Sequence, residues 1–444
     1  MLINYLKLAL KVLGRNRFFT AISLFGISFT LLILMVITAF YDAEFGDNPP
    51  LSQKDQMVFL GQLKLELVNP DTTWLIDSTL MDGEMVYDST YTIGENTSST
   101  SISDFSYHFL DNHMRDPEGV EVYSFYSPHH TFDVFLDTRK LSVEAIYADE
   151  HYWSLFDFTF VDGAPFTSGH VRDASQVAVV TTELAEKYFG EASMAMGKDI
   201  QLAGHNYRVV GLVERARSTN ELVSSEVFLP LTTMDARAFE NTDFHGGFVA
   251  SYLAEDKSEI PLIKEELASR AAAVNYPNPE DYNRVSTIPM DSAELYAGMI
   301  MDQNDPAGAL WIARLLFGVL LLFFVLLPTL NLINMNLSRI MEREAEIGVR
   351  KAFGAHSGTI LYQFVFENVI ITFIGGIIGM ILAMLVLFLI NDSQVLPQIV
   401  LRFNGKVFLY SFIICFLFGI ISGLLPAWRV SRLQIADVLK SNQL

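Results

Sequence analysis

Residues 18–41 read FFTAISLFGISFTLLILMVITAFY, with no formal charge anywhere in the run. A helix needs about 20 apolar residues to cross the hydrocarbon core of a bilayer, and this run is long enough. A cleavable leader is the competing reading. Leaders carry a shorter apolar core, about 7–15 residues, followed by a small-residue cleavage site. This run is longer, and no A-x-A site follows it, so it is read as a retained span. Three further stretches match it: residues 308–335, broken only by Arg314 near the start, residues 360–390 with Glu367 as their one charge, and residues 407–427 with none. Pro328 lies inside the second, where a kink is expected and lipid tolerates one.

The whole chain has 444 residues, 51% apolar and 12% aromatic, with 51 acidic and 30 basic side chains and a net charge of −21. Its mean hydropathy is nevertheless positive, +0.30. So much apolar material excludes a disordered chain, and the acidity argues against binding nucleic acid, whose phosphates would be repelled. A single cysteine, Cys415, excludes an internal disulfide framework and a cysteine-cluster zinc site.

Basic residues near the spans set the orientation. Lys7, Lys11, Arg15 and Arg17 precede the first span with no acid among them; Arg339, Arg343, Arg350 and Lys351 follow the second; Arg429, Arg432 and Lys440 follow the fourth. These segments belong in the cytoplasm. Residues 41–310 carry 16 basic against 45 acidic side chains, a net of −29, and belong outside. The expected fold is a membrane protein of four transmembrane α-helices with a large inserted α+β extracytoplasmic domain. In order, it has a cytoplasmic amphipathic helix at 1–17 lying on the inner leaflet's lipid headgroups, a span at 18–41, the extracytoplasmic domain with its stalk at 42–306 and a span at 307–335. A cytoplasmic helix at 336–358, a span at 359–391, an external loop at 392–406, a span at 407–427 and a cytoplasmic tail at 428–444 complete it. Both termini are cytoplasmic.

Inside the large block, residues 119–150 alternate like strands, 176–181 read as a strand, 183–189 as a short helix and 200–214 as a hairpin turning at Ala203-Gly204. Residues 226–229 and 247–253 read as strands, 259–273 as an amphipathic helix, and helix formers resume at 290–301. Residues 71–117, rich in Ser, Thr, Asp and Asn, read as a loop-rich insertion with little order.

The most informative segment is residues 331–355, NLINMNLSRIMEREAEIGVRKAFGA. Glu342, Arg343, Glu346 and Arg350 stand in i,i+3 and i,i+4 relations. Ile340, Ile347, Val349 and Phe353 supply an apolar side, and Gly354 is placed to end the helix. A plain solvated helix would not need that apolar side; a helix pinned beneath the bilayer that docks into a partner's groove would. Gly375 and Gly379, and again Gly419 and Gly423, have the small-xxx-small spacing that lets membrane helices approach closely. For Glu367 two readings stand open: a helix–helix contact near the cytoplasmic side, or an acid snorkelling to the interface. His129, His130 and Asp133 read as surface residues rather than as metal ligands, and Met290, Met299 and Met301 as stalk packing. No metal site is expected.

The EREAEIGVRKAFGA run, then Phe364-Val365-Phe366-Glu367 and the glycines Gly375, Gly376 and Gly379, resembles the permease domain of the MacB/FtsX-like ABC transporter family. The ending agrees, with Leu425-Pro426-Ala427-Trp428-Arg429, Ser431-Arg432-Leu433 and Ala436-Asp437-Val438-Leu439-Lys440. So does the large block, whose Val161-Asp162-Gly163-Ala164-Pro165-Phe166, Lys187-Tyr188-Phe189-Gly190, Gly197-Lys198 and Tyr207-Arg208-Val209-Val210-Gly211 resemble the MacB-like periplasmic core domain. The resemblance implies a permease of the bacterial inner membrane. Its cytoplasmic helix would couple to an ABC ATPase through Glu342, Arg343, Glu344, Glu346, Ile347, Gly348, Arg350, Lys351 and Gly354. A second permease copy or paralogue would complete a dimer, and a periplasmic adaptor or outer-membrane channel is a further partner the family suggests.

Gly197-Lys198-Asp199 and Gly405-Lys406-Val407 lack the G-x-x-x-x-G-K-[ST] arrangement that cradles phosphates. ATP and Mg are therefore expected on a separate ATPase, with no cofactor in this chain and no enzymatic activity of its own. Three outputs fit: efflux of a substrate captured outside, regulation of an envelope partner such as a cell-wall hydrolase, or lipoprotein release. A membrane receptor or enzyme with no ATPase is the reading that remains if the 342–351 helix binds nothing. The orientation makes a direct prediction. A membrane-impermeant amine reagent applied to intact cells labels Lys257 and leaves Lys351 unlabelled; labelled Lys351 would reverse the topology.

Overall fold

The structure, a computed structural model, describes residues 17–46, 48–81, 84–136, 139–216, 218, 220–302, 304–342, 349, 353, 357–393, 401–406, 408–414, 416–417, 420 and 424. The chain divides into two compact units, residues 47–310 and the two flanking segments 1–46 and 311–444 taken together.

Helix α1 is Arg17–Phe45. The large unit follows, with β1 Met57–Leu60, β2 Leu63–Met81, β3 Glu84–Phe105, α2 Tyr107–His113, β4 Val120–Tyr126, β5 His130–Leu136, β6 Arg139–Ala148 and α3 Tyr152–Leu155. It continues with β7 Phe160–Gly163, α4 Ser168–Arg172, β8 Val177–Thr181, α5 Thr182–Phe189, β9 Asp199–Leu202, β10 His205–Val213, β11 Val227–Pro230 and α6 Arg237–Glu240. Then come β12 His245–Gly246, β13 Val249–Ala254, α7 Ile260–Ala272, β14 Arg284–Thr287, β15 Met290–Asp291 and α8 Ser292–Ile300. Two long apolar helices close the described chain, α9 Pro306–Glu342, continuous through Pro328, and α10 Ser357–Asp392.

The large unit is α+β. Its main sheet is mixed and runs β15-β1-β13-β4-β6-β11-β8-β10-β7, with β5 added beside β6 and β9 beside β10. β11 lies parallel to β6 and β10 parallel to β8; the other pairs are antiparallel. Successive strand side chains point to opposite faces, and here both faces are apolar. Met57 and Phe59 of β1 enter one core and Val58 and Leu60 the other; Ile146 and Phe228 oppose Ala145, Tyr147, Val227 and Leu229 in the same way. Helices α2, α5 and α7 cover the first face, and α3 and α8 the second. A sheet covered on both faces reads as near-continuous hydrophobic runs, which is why VAVVT (177–181) and VASYLA (249–254) show little alternation. The second core contains a cluster of aromatic rings: Tyr152 stands edge-on to Tyr126 at 5.2 Å between ring centres, and Trp153 meets Phe166 and Phe228 at 5.2 and 5.4 Å.

Residues 71–117 are not the loop that their composition suggests. β2 and β3 pair from Leu63↔Ser103 out to Met81↔Glu84 as one antiparallel ribbon, bulged at Leu67/Val68, and α2 follows, capped by Ser106. Thr is β-branched and suits extended strands, and the described residues 69–73 and 90–100 are exposed, so no apolar alternation marks them as strands. Its base is secured by β14 on one edge and β12 on the other.

One half-buried carboxylate ties two elements of this unit. Asp149 accepts from Ser124 Oγ at 2.6 Å, from the Phe125 N–H at 2.9 Å and from the His151 and Tyr152 N–H groups at 3.0 and 3.1 Å. It thereby joins β4 to the start of α3. Removing it leaves buried donors unsatisfied, at about 1–3 kcal/mol each in isolation. Asp149→Ala is expected to cost about 2–4 kcal/mol and to lower the thermal midpoint of the purified protein by several degrees. An unchanged midpoint would show that these donors find water.

Candidate functional site: the packed apolar helices

Three described segments are long and apolar enough to cross a membrane: Thr20–Ala43 in α1, Pro306–Phe324 in α9 and Val365–Asp392 in α10. Of the expected fourth span, 407–427, the described residues 408–414, 416–417, 420 and 424 are helical, and the others lie outside the described residues.

α1 packs along α10. Ile27 and Leu31 meet Ile370 and Ile371 in a buried cluster, with Leu24, Phe366 and Phe412 around it. At Gly375 an added Cβ would stand 2.8 Å from the Ile27 side chain, and at Gly379 it would stand 2.9 Å from the Ser28 carbonyl oxygen. On the adjoining position Gly376 lies under the ring of Phe412, which an added Cβ would meet at 2.4 Å. Glycine is the one residue that permits these approaches. Ser28 uses the closeness: its Oγ lies 3.0 Å from the Gly375 carbonyl and 2.6 Å from its own helix's Leu24 carbonyl.

Polar side chains collect beside this seam. Glu367 is 2% exposed and accepts from Gln363 Nε2 at 3.2 Å, while Thr372 Oγ1 donates to the Asn368 carbonyl at 2.9 Å. Ser23, Ser28, Thr30, Asn368 and Thr372 are all buried. The Glu367 carboxyl is thus held inside the helix packing rather than reaching outward. At the far end of α10, Asn391 clamps the backbone of Leu401 with two hydrogen bonds, 2.9 Å from its amide to the carbonyl and 3.0 Å from the Leu401 N–H to its Oδ1.

α9 is different. Trp311, Leu315, Leu316, Val319, Phe323 and Leu330 are all exposed, and the ring of Phe317 stacks on Tyr41 of α1 at 5.2 Å. Of the residues singled out for partner contact, Glu342 closes α9, and Arg343, Glu344, Glu346, Ile347, Gly348, Arg350, Lys351 and Gly354 lie outside the described residues, as do Gly419 and Gly423. Val349 and Phe353 are described. The Phe353 N–H donates to the Val349 carbonyl at 3.1 Å, a helical turn, and both side chains are exposed, Phe353 at 88%. The His129, His130 and Asp133 group does not converge: His129 faces Glu221 at 3.6 Å, His130 packs on Tyr147 and Asp133 pairs with Lys140 at 2.8 Å.

Sequence reasoning found the glycines of α10 but missed what they pack against. The signal was present in α1, where Thr20, Ser23, Ser28 and Thr30 interrupt an otherwise apolar run, as small and hydroxyl residues do at close helix crossings.

Comparison with known proteins completes the assignment. Residues 20–270 match the MacB-like periplasmic core domain, and residues 318–435 match the FtsX-like permease C-terminal domain. The chain belongs to the MacB/FtsX-like family of ABC transporter permeases. It is similar to the pyoverdine export ATP-binding/permease protein PvdT of Pseudomonas syringae pv. syringae, 24% identical over 66% of this chain and 42% of that protein. It is also similar to the uncharacterized ABC transporter permease YknZ of Bacillus subtilis, 23% identical over 66% of this chain and 68% of that one. The chain thus aligns with less than half the length of the pyoverdine relative. Among solved structures, the periplasmic region of MacB from Actinobacillus actinomycetemcomitans aligns with 45% of this chain and 84% of its own at 13% identity, TM-score 0.33.

The seam predicts its own failure. Gly379→Leu forces a side chain against the Ser28 backbone, and overpacking of this kind costs about 1–3 kcal/mol. It should lower the thermal midpoint of the detergent-purified protein by several degrees. Gly318→Leu on α9, where a Cβ meets nothing within 4 Å, should not. Equal effects would remove the special status of the seam.

Proposed function

We propose that this family member is the membrane subunit of an export system. In it a separate ABC ATPase docks on the segment 342–354 and drives a change in the α+β unit on the opposite side of the inner membrane. The observation that carries the reading is the pair Val349 and Phe353. They are apolar, exposed and one helical turn apart, at the end of the charged run Glu342, Arg343, Glu344, Glu346, Arg350 and Lys351. Apolar anchors rimmed by charge suit a helix that enters a partner's groove. The family resemblance assigns Ile347, Gly348 and Gly354 to the same contact, and they lie outside the described residues. ATP and Mg belong to the partner.

The uncovered apolar face of α9 supports a second permease copy or a paralogue alongside lipid, since membrane helices associate by packing where side chains fit. The acidity of residues 41–310 and the basic flanks of the spans support an extracytoplasmic α+β unit with both termini inside. Work passes across the bilayer only if the ATPase binds the coupling segment differently in its two states. On this reading the stalk before α9 moves with the coupling segment, and cargo need not thread between the helices. The names of the relatives, which include a pyoverdine export ATP-binding/permease protein, support the export role.

Affinity purification from native membranes tests the proposal. The wild-type chain should retain an ABC ATPase identifiable by mass spectrometry, and Glu346→Arg or Phe353→Asp should reduce retention at least tenfold while leaving membrane insertion intact. Undiminished retention with both variants would overturn the assignment of this segment.

A further inference from the structure

The α+β unit contains a cavity of about 290 Å³ that the proposed role does not use. Its walls are apolar, with Phe59 of β1, Val249 of β13 and Leu295 and Met299 of α8 among them. Two carboxylic acids, Asp104 at the end of β3 and Glu221, also line it, and among the described residues no basic side chain does. Among the described residues nothing donates to the Asp104 carboxyl. Burial pushes its pKa up to about 6, the response of an acid whose charge lacks compensation. Glu221 is mostly exposed, with His129 Nδ1 at 3.6 Å from its Oε2.

An apolar cavity at the small end of ligand-site volumes, holding one half-buried and uncompensated carboxylate, has a complementary occupant. An anion would meet two acids. A neutral apolar molecule would leave the Asp104 charge buried and unpaired, which is costly. A cation with an apolar body satisfies both features. We infer that this cavity is a binding site for a small organic cation, its ammonium group on Asp104 and its apolar body against Phe59 and Leu295. The inference does not depend on the ATPase reading, and its test is direct binding.

Gly61 lines the same cavity, and a Cβ there meets nothing within 4 Å, so a larger residue can fill the space without displacing a neighbour. Asp104→Asn removes the charge and keeps the shape. The titratable groups on the neighbouring elements are Glu221, His129 and, on β12 opposite β3, His245, whose pKa burial lowers. Protonation of any of them disfavours a bound cation, so all act in the same direction as Asp104. Affinity should rise with pH as Asp104 ionises, by about tenfold between pH 5 and 7.5.

The experiment is calorimetric titration of the full chain in lipid nanodiscs with benzyltrimethylammonium, against empty nanodiscs, with phenylmethanesulfonate as the matched anion. The cation should bind and the anion should not. Asp104→Asn should weaken cation binding at least tenfold and flatten its pH dependence, and Gly61→Leu should abolish it, with the thermal midpoint of each variant kept near that of wild type. No saturable cation uptake up to millimolar concentration, equal uptake of cation and anion, or full affinity in Asp104→Asn would each overturn the inference.

Discussion

Two helix backbones can touch only where side chains are absent. Lipid offers no hydrophobic force to push apolar helices together, so close packing and buried polar contacts must do it. α1 and α10 meet this condition at Gly375 and Gly379, where the Ile27 side chain and the Ser28 backbone occupy the space a Cβ would need. The Ser28 hydroxyl then reaches the Gly375 carbonyl across the seam. This contact joins residues 347 positions apart. It makes the two ends of the chain one compact unit, and residues 47–310 become an insertion whose entry and exit both belong to that unit. Glu367, Asn368 and Thr372 are buried beside the seam, where Gln363 donates to Glu367 and Thr372 donates to the Asn368 carbonyl.

The α+β unit obeys a different solvent. Its sheet buries both faces, so each strand contributes alternately to two cores, and short helices cover each side. Aromatic rings cluster in one core, where edge-on contacts add specificity to area burial. Asp149 shows how polar groups enter such an interior: it is half-buried, serves four donors at once and so ties β4 to α3. Among the described residues Asp104 has no such set, and the inferred cation site rests on that contrast.

The elements that bury an apolar face were legible before any coordinates. Strands at 120–126, 139–148, 177–181 and 205–213, the helix at 260–272 and the long apolar helices all announce themselves through period or run length. The ribbon of β2 and β3 did not, because its Ser, Thr, Asp and Asn residues suit turns as well as strands, and nothing local records which strand lies opposite. The glycines of α10 were visible as a spacing, but Ile27, Ser28 and Phe412 as their neighbours were not, since a helix face does not name its partner. Val349 and Phe353 were legible as an apolar side, and the structure adds that both are uncovered within the described chain.

What the amino-acid order determined by itself is where each segment can be at rest: uncharged runs in lipid, the acidic block in water, and the charged half-apolar run at the boundary. These are transfer preferences, summed residue by residue and independent of neighbours. What only the tertiary structure decided is which groups meet: Ser28 with Gly375, Asp149 with four donors, Asp104 with none among the described residues, and a ribbon where composition suggested a loop. Those outcomes depend on distances between residues far apart in the chain, which no local property of the chain encodes.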